Sequence, residues 1–411
     1  MEFLEAEIKR LGFLEPTLIQ EKSYQAFLAN KSAILLSPTG TGKTLAYLIP
    51  LLKKITNKSN HLQALIIVPT TELALQIKTV LRELKPVYTH QTISASDDRL
   101  RAFKSFTTTP PQLLVITPGR LADLEKEGLL NISTVKELII DEADMMFSLD
   151  FLKEIDNIIK KTKANIYLFS ATLPAHLLSW AKSYFKGTFL IDVRKEIKLN
   201  INHHLIFTSG DKEERLFKLL KVLNPFLSFI FVSRNADIEP LYLKMLEKGY
   251  QVGRLSSKQT LRERKTIINN VNELKYQYLI SSDLGSRGLD FEAISDIIHY
   301  DFPYRLEYYY HRSGRTGRML QEGNVYLFFE DRLNRKIAAL KKGGIEFKEY
   351  QIKNEQLIVK PSGERTLTAA EIKAIRSVKK PTKVKPGYKK KYQKEVQKAL
   401  KKARYQRRIK K

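Results

Sequence analysis

Short, almost wholly apolar runs alternate with helical patterns along most of this chain. In the first half they fall at 33–36, 64–68, 113–116, 138–140 and 166–169, and in the second half at 229–232, 278–280, 297–298 and 325–329. Strands with one wet face alternate apolar and polar residues, so unbroken runs predict strands buried on both faces, in parallel sheets covered by helices. Two tandem α/β domains are therefore expected. The polar stretch Asp192-Val193-Arg194-Lys195-Glu196-Ile197-Lys198 and the turn at Ser209-Gly210-Asp211 mark the boundary between them. The reading is a first domain over 1–195, a linker over 196–212, a second domain over 213–358 and a tail over 359–411.

Composition agrees with this division. With 411 residues, 43% of them hydrophobic and 28% charged, the chain can bury two cores of ordinary domain size and carry an extension. It contains no cysteine, which excludes disulfides and thiolate metal sites and suits a reducing, cytoplasmic setting. Met1-Glu2-Phe3-Leu4-Glu5 places acids where a secretory signal needs basic residues, and no apolar run approaches the roughly 18 residues of a membrane span. Of the net charge of +27, residues 361–411 supply +16, from 19 Lys/Arg against 3 Asp/Glu. A phosphate polyanion is the partner such a tail predicts, because each neutralised phosphate releases counterions. Residues 379–391 read as disordered and 392–411 as a basic helix, with Tyr388, Tyr392 and Tyr405 interleaved as stacking surfaces.

Ser37-Pro38-Thr39-Gly40-Thr41-Gly42-Lys43-Thr44 follows an apolar run and precedes a helical stretch, the setting a phosphate-binding loop requires. Glycines let backbone N–H groups turn inward, so Thr39, Gly40, Thr41 and Gly42 are candidate phosphate ligands. Lys43 is expected to reach the β and γ phosphates, and Thr44 to offer its hydroxyl to Mg²⁺. Ser37 stands where the usual pattern has glycine. Asp141-Glu142-Ala143-Asp144 follows the run at 138–140, at the strand end where ligands gather on open parallel sheets. Asp141 is expected to hold Mg²⁺, commonly through water, and Glu142 to orient and deprotonate an attacking water. Taken alone, such acids are as readily the cap of the next helix.

Asp-Glu-Ala-Asp is the signature of DEAD-box RNA helicases, and over about residues 3–330 further motifs follow in that family's order. The chain resembles this family, and within it the bacterial cold-shock and RNA-turnover type. The resemblance implies two RecA-like domains, ATP and Mg²⁺ as cofactors, and RNA as partner. Gly12-Phe13 with Pro16-Thr17-Leu18-Ile19-Gln20 resembles the adenine-reading motif, and Phe3, 17 residues before Gln20, stands where the family places a stacking aromatic. The chemistry suits Phe3, Phe13 and Gln20, since glutamine can bond adenine N6 and N7 together and an aromatic face stacks on the base.

By the same resemblance Pro69 and Thr70, then Thr117, Pro118, Gly119 and Arg120, contact the RNA backbone, while Ser170 and Thr172 bond to Asp144 and couple hydrolysis to unwinding. Ser282, Asp283 and Arg287 touch RNA, and Gly288 with Asp290 holds the ATP ribose. In His311-Arg312-Ser313-Gly314-Arg315-Thr316-Gly317-Arg318, Arg315 and Arg318 are the arginine fingers, and His311 contacts the acids of the first domain. Delocalised cations beside a dissociating phosphoryl group stabilise transition-state charge.

Three departures lie on the RNA side. The family usually has arginine at Thr71, a Gly-Gly pair between Gln76 and Thr117 where this chain has no glycine, and His-Gly where Arg254-Leu255 precede Gln259 and Arg262. Arg254, Lys258 and Arg264 are the candidates to replace the lost contacts. The expected activity is an ATP-dependent RNA helicase that unwinds duplexes locally or remodels RNA–protein complexes. The alternatives are an ATP-gated RNA clamp and a DNA-directed helicase of the same superfamily. A cytoplasmic monomer is expected, with RNA-degradation or ribosome-assembly proteins as further partners.

Overall fold

The protein is described by a computed structural model that covers residues 1–360 apart from 149–150, 185–188, 198, 257–258, 284, 287–290, 292–293 and 318–321, and beyond 360 covers 374, 377–378, 394–399 and 401–402. The side chains of 148, 152, 175–176, 261 and 331 lie outside the description as well.

Among the described residues, seven strands form the first sheet: β1 (Ala33–Leu36), β2 (Ala64–Ile67), β3 (His90–Ile93), β4 (Leu113–Ile116), β5 (Glu137–Ile140), β6 (Asn165–Ser170) and β7 (Phe189–Asp192). They lie in the order β3-β4-β2-β5-β6-β1-β7 and pair in parallel throughout. Both faces are covered, as the unbroken apolar runs require. Ala33 and Leu35 of β1 enter one core with Phe27 and Tyr47, while Ile34 and Leu36 enter another with Phe103 and Leu121.

The second sheet comprises β8 (Ile201–Phe207), β9 (Ser228–Phe231), β10 (Val252–Leu255), β11 (Tyr278–Ser281), β12 (Asp296–His299), β13 (Gly323–Phe328), β14 (Phe347–Lys353) and β15 (Gln356–Val359). Their order is β10-β11-β9-β12-β13-β8-β14-β15. Phe229 and Phe231 face one core and Ile230 the other. The apolar runs are all strands here. The strands they leave out sit at or near sheet edges or carry polar residues with partners of their own. β8 is the instructive case: it occupies part of the stretch read as a linker, and its His203 and His204 bond to Tyr309 and Asn324 at 2.8 and 3.0 Å.

Strand order positions the site. In a parallel sheet all C-terminal strand ends share one edge, and β5, β6 and β1 are neighbours in register, with Ile140 beside Leu168 and Leu36 beside Ser170. The phosphate loop, Asp141 and Ser170 therefore emerge side by side. β2 and β4, on the far side of β5, deliver Pro69-Thr70 and Thr117-Pro118 to the same edge. No helix among the described residues is long and apolar enough to cross a membrane.

Residues 359–411 form a separate unit. The expected disorder at 379–391 lies outside the described residues, and within the expected basic helix, 394–399 and 401–402 are helical.

Candidate active site

The phosphate loop turns from β1 into the helix Lys43–Lys54 through two left-handed glycines, Gly40 at φ 82° and Gly42 at φ 84°. A Cβ on Gly42 would lie 2.5 Å from the Gln20 side-chain nitrogen, so this position admits only glycine. Thr41 Oγ1 bonds at 2.9 Å to both Ser37 Oγ and the Pro38 carbonyl, which gives Ser37 a purpose glycine cannot serve. Lys43 Nζ donates to the carbonyls of Ser37 and Pro38 at 3.3 and 3.0 Å. Thr39 Oγ1 is buried without a hydrogen-bond partner, an orphan that a phosphate oxygen would satisfy.

Gln20 closes a capping box, its Oε1 accepting from Thr17 N at 2.9 Å and its Nε2 donating to the Gly42 carbonyl at 3.2 Å. A carboxamide has two donor hydrogens and two oxygen lone pairs. One of each is left over, the pair that adenine N7 and N6 call for. Phe13 and Phe3 both pack on the edge of the first core, with Lys53 Nζ 4.4 Å from the Phe3 ring centroid.

Asp141 is buried at the end of β5. Its Oδ2 accepts from the Tyr47 hydroxyl at 2.8 Å and its Oδ1 from the Glu142 amide at 2.8 Å. Burial and the neighbouring Glu142 carboxylate raise its pKa to about 6, against the opposing pull of Lys43 and Tyr47. Glu142 itself is held at φ 51°, a left-handed conformation that costs a side-chain-bearing residue about 1–3 kcal/mol and is kept where the surrounding structure demands it. Among the described residues no group of three or more His, Cys, Asp or Glu gathers as a metal cage. The Thr44 hydroxyl and Asp141 carboxylate are hard oxygen donors of the kind that suits Mg²⁺ when the nucleotide's phosphates complete its shell.

Asp144 ties three motifs together. Its Oδ2 accepts from Thr172 N at 3.0 Å and Thr172 Oγ1 at 2.5 Å, and pairs with His311 Nε2 of the second domain at 3.0 Å. Its amide donates to Ser170 Oγ at 3.3 Å, and Ser170 Oγ donates to the Thr172 carbonyl at 2.8 Å. Burial alone would raise the Asp144 pKa, but the His311 charge and these bonds outweigh it and hold the carboxyl well below the usual range; His311 is raised in turn, chiefly by Asp144.

The domains also meet at Gly314, where a Cβ would stand 2.7 Å from Thr39 Cβ in the phosphate loop. Behind it, Arg312 uses all five of its N–H groups. It grips Asp283 through two bonds of 2.5 and 2.7 Å, and donates to the Asp301 carbonyl at 2.9 Å, His299 Nδ1 at 3.3 Å and Ser233 Oγ at 3.3 Å. So anchored, the helix Glu307–Ser313 presents His311 and the following Arg315 to an interdomain cleft of about 460 Å³ that Glu142 and Asp144 also line. Lys43 and Thr44 are not among the residues that line this cleft. Arg318, Gly288, Asp290 and Arg287 lie outside the described residues.

On the RNA side the structure divides the expected ligands. Thr70 caps the helix Thr71–Leu84, its Oγ1 accepting from Leu73 N at 3.2 Å, with Pro69 just before it. Thr117 stands at the N-cap position of the helix Pro118–Lys126 without a side-chain cap bond, and a Cβ on Gly119 would meet nothing within 4 Å, so this helix start is open to a phosphate. Arg120 is used otherwise: it bonds to the Ser94 and Asp97 carbonyls at 3.2 and 3.1 Å and to Asp123 at 3.3 Å. It thereby holds the loop after β3, within the glycine-free stretch from Gln76 to Thr117, a loop closed by Ser94 N and Oγ donating to Asp97 at 2.7 and 2.8 Å. Ser282 and Asp283 also face inward, to Gly285 N at 3.1 Å and to Arg312.

Of the three candidate replacements, Arg254 pairs with Glu239 of its own domain at 2.6 Å, and Lys258 lies outside the described residues. Arg264 crosses between domains. From the helix Leu261–Asn272 it meets Glu72 of the first domain at 2.6 Å and the Gly285 carbonyl at 3.0 Å, and is itself buried. Arg264→Met is expected to weaken RNA-dependent domain closure on the order of tenfold, about 1.4 kcal/mol. Interdomain energy transfer in the presence of ATP and RNA measures this; a variant that closes like the wild type would leave the pair without that role.

Residues 17–179 match the DEAD/DEAH box helicase family and 211–320 the helicase conserved C-terminal domain. The chain is 35% identical over 405 residues to the DEAD-box ATP-dependent RNA helicase CshB of Bacillus subtilis, an alignment covering 95% of this chain and 92% of that one. It is 33% identical to the CshB of Listeria monocytogenes, over 95% and 93% of the two chains. Among solved structures, S. cerevisiae Dbp5 L327V bound to RNA and ADP BeF3 superposes with a TM-score of 0.77 at 26% identity, over 86% of this chain and 95% of that one.

Proposed function

Because the chain belongs to the DEAD-box family of ATP-dependent RNA helicases, we propose that ATP and single-stranded RNA together hold its two domains closed, that the closed form displaces one strand of a short duplex, and that hydrolysis and phosphate release reopen it. The observation that carries this reading is the interdomain contact itself: His311 on Asp144, and Gly314 against Thr39 of the phosphate loop. A site divided in this way is complete only when closed.

Gln20 with Phe3 and Phe13 receives the adenine, the amides of residues 39–42 and Lys43 receive the phosphates, and Glu142 takes the proton of the attacking water. Thr44 and Asp141 would hold magnesium, which when bound would supply positive charge at the phosphates. Arg315, with Arg318, neutralises charge that develops on the transferring phosphoryl group. Asp144, Thr172 and His311 form a bridge that exists only while the domains are together, so the state of the nucleotide and the grip on RNA change as one. RNA is held by backbone contacts at the helix starts after Thr70 and Thr117, which carry little base information.

A duplex-displacement assay tests the unwinding step. Release of a short strand that requires ATP and stops with excess duplex length is the expected result; RNA retention without release would make the protein a clamp. DNA of equal length is expected to stimulate the ATPase far less than RNA. The names of the CshB relatives fit a role in cold adaptation, and a cytoplasmic setting with a part in RNA turnover or ribosome assembly is proposed with it.

The basic tail adds sequence-tolerant affinity. Deleting residues 361–411 is expected to weaken RNA binding several-fold at low salt and to flatten the dependence of log Kd on log salt, since fewer counterions are released. An unchanged affinity and slope would remove the tail from RNA binding.

A further inference from the structure

One buried hydroxyl holds an expected magnesium ligand. We infer that Tyr47 is a positioning residue for the divalent cation, its phenol fixing the Asp141 carboxylate from the helix that also carries Thr44. Tyr47 lies three residues after Thr44 on the helix Lys43–Lys54, so the two side chains share a face. Its ring is fully buried, packed edge-on against Phe169 of β6 with centroids 5.2 Å apart. The hydroxyl has little freedom to move.

A phenol has a single proton to give and lone pairs to accept with. That proton goes to Asp141 Oδ2 at 2.8 Å. Asp141 Oδ1 is fixed separately by the Glu142 amide at 2.8 Å. The carboxylate is thus clamped from the helix on one side and from its own strand end on the other. No motif assigns this residue; it acts through Asp141.

The inference rests on the reading of this site as one for a magnesium nucleotide. Its test uses the full-length Tyr47→Phe variant, which keeps the ring and removes only the hydroxyl. Binding of a fluorescent ADP is followed while Mg²⁺ is titrated, and again in EDTA. The half-saturating Mg²⁺ concentration is expected to rise on the order of tenfold, the equivalent of one lost bond to a charged group, with the affinity in EDTA unchanged. The RNA-stimulated kcat should fall at limiting Mg²⁺ and recover at high Mg²⁺. An unchanged Mg²⁺ midpoint, or an equal loss of affinity in EDTA, would overturn the assignment, the latter by showing a purely structural role. If the wild type bound nucleotide no better with Mg²⁺ than in EDTA, the magnesium–nucleotide reading and the role of Tyr47 would fall together.

Discussion

Replacing Arg315 with alanine is expected to lower the RNA-stimulated kcat by roughly 10³-fold or more, with little change in the KM for ATP. Arg315 lines the interdomain cleft together with Glu142 and Asp144, yet belongs to the other domain. In the proposed mechanism its charge is brought to the phosphates by closure and matters most as the transition state forms. An interaction made only in the transition state lowers kcat and kcat/KM equally. Lysine should rescue little, because a compact ammonium lacks the planar fork of guanidinium. Steady-state ATPase kinetics of Arg315→Ala and Arg315→Lys at saturating RNA make the measurement; a loss confined to KM would place Arg315 in ground-state binding.

Glu142→Gln is expected to reduce turnover by about 10²- to 10⁴-fold, the range of a general base, while nucleotide and RNA still bind. Glutamine preserves shape and can occupy the same left-handed backbone position, but it cannot accept the proton of the attacking water. The bridge from Asp144 to Thr172 and His311 is untouched by the substitution. The variant should then accumulate in the closed ATP- and RNA-bound form, and RNA should dissociate from it more slowly with ATP than without. Normal RNA-stimulated ATPase in Glu142→Gln would remove Glu142 from the chemistry.

Glu142 was legible in the sequence for a physical reason, and Arg315 through the family resemblance. Phosphate loops and acidic strand ends need particular residue types at particular spacings, because backbone amides and a lysine must converge on the phosphates and carboxylates on the cation and water beside them. The runs that became β1, β2, β4, β5, β9 and β11 were equally legible, since a strand covered on both faces has no room for polar residues. β8 was not, because its histidines are satisfied by Tyr309 and Asn324, residues more than a hundred positions away. Nor could one chain's pattern reveal how Arg120 would be used: the carbonyls it bonds belong to Ser94 and Asp97, on a loop earlier in the chain that folding brings beside it. Arg254 and Arg264 looked alike in sequence. They differ in structure by which acid faces them, Glu239 in the same domain or Glu72 across the cleft. Tyr47 carried one faint signal, its three-residue spacing from Thr44, which identifies a shared helix face but not a buried carboxylate opposite it.

The composite site is tested most directly by the ATPase rate of the wild-type protein at saturating ATP, with no nucleic acid, with single-stranded RNA, and with DNA of the same sequence and length. If hydrolysis requires the closure that places Arg315 and His311 against the first domain, RNA should raise kcat by one to several orders of magnitude and DNA should not. A rate that is the same in all three conditions would contradict it, because the first domain alone would then be hydrolysing ATP.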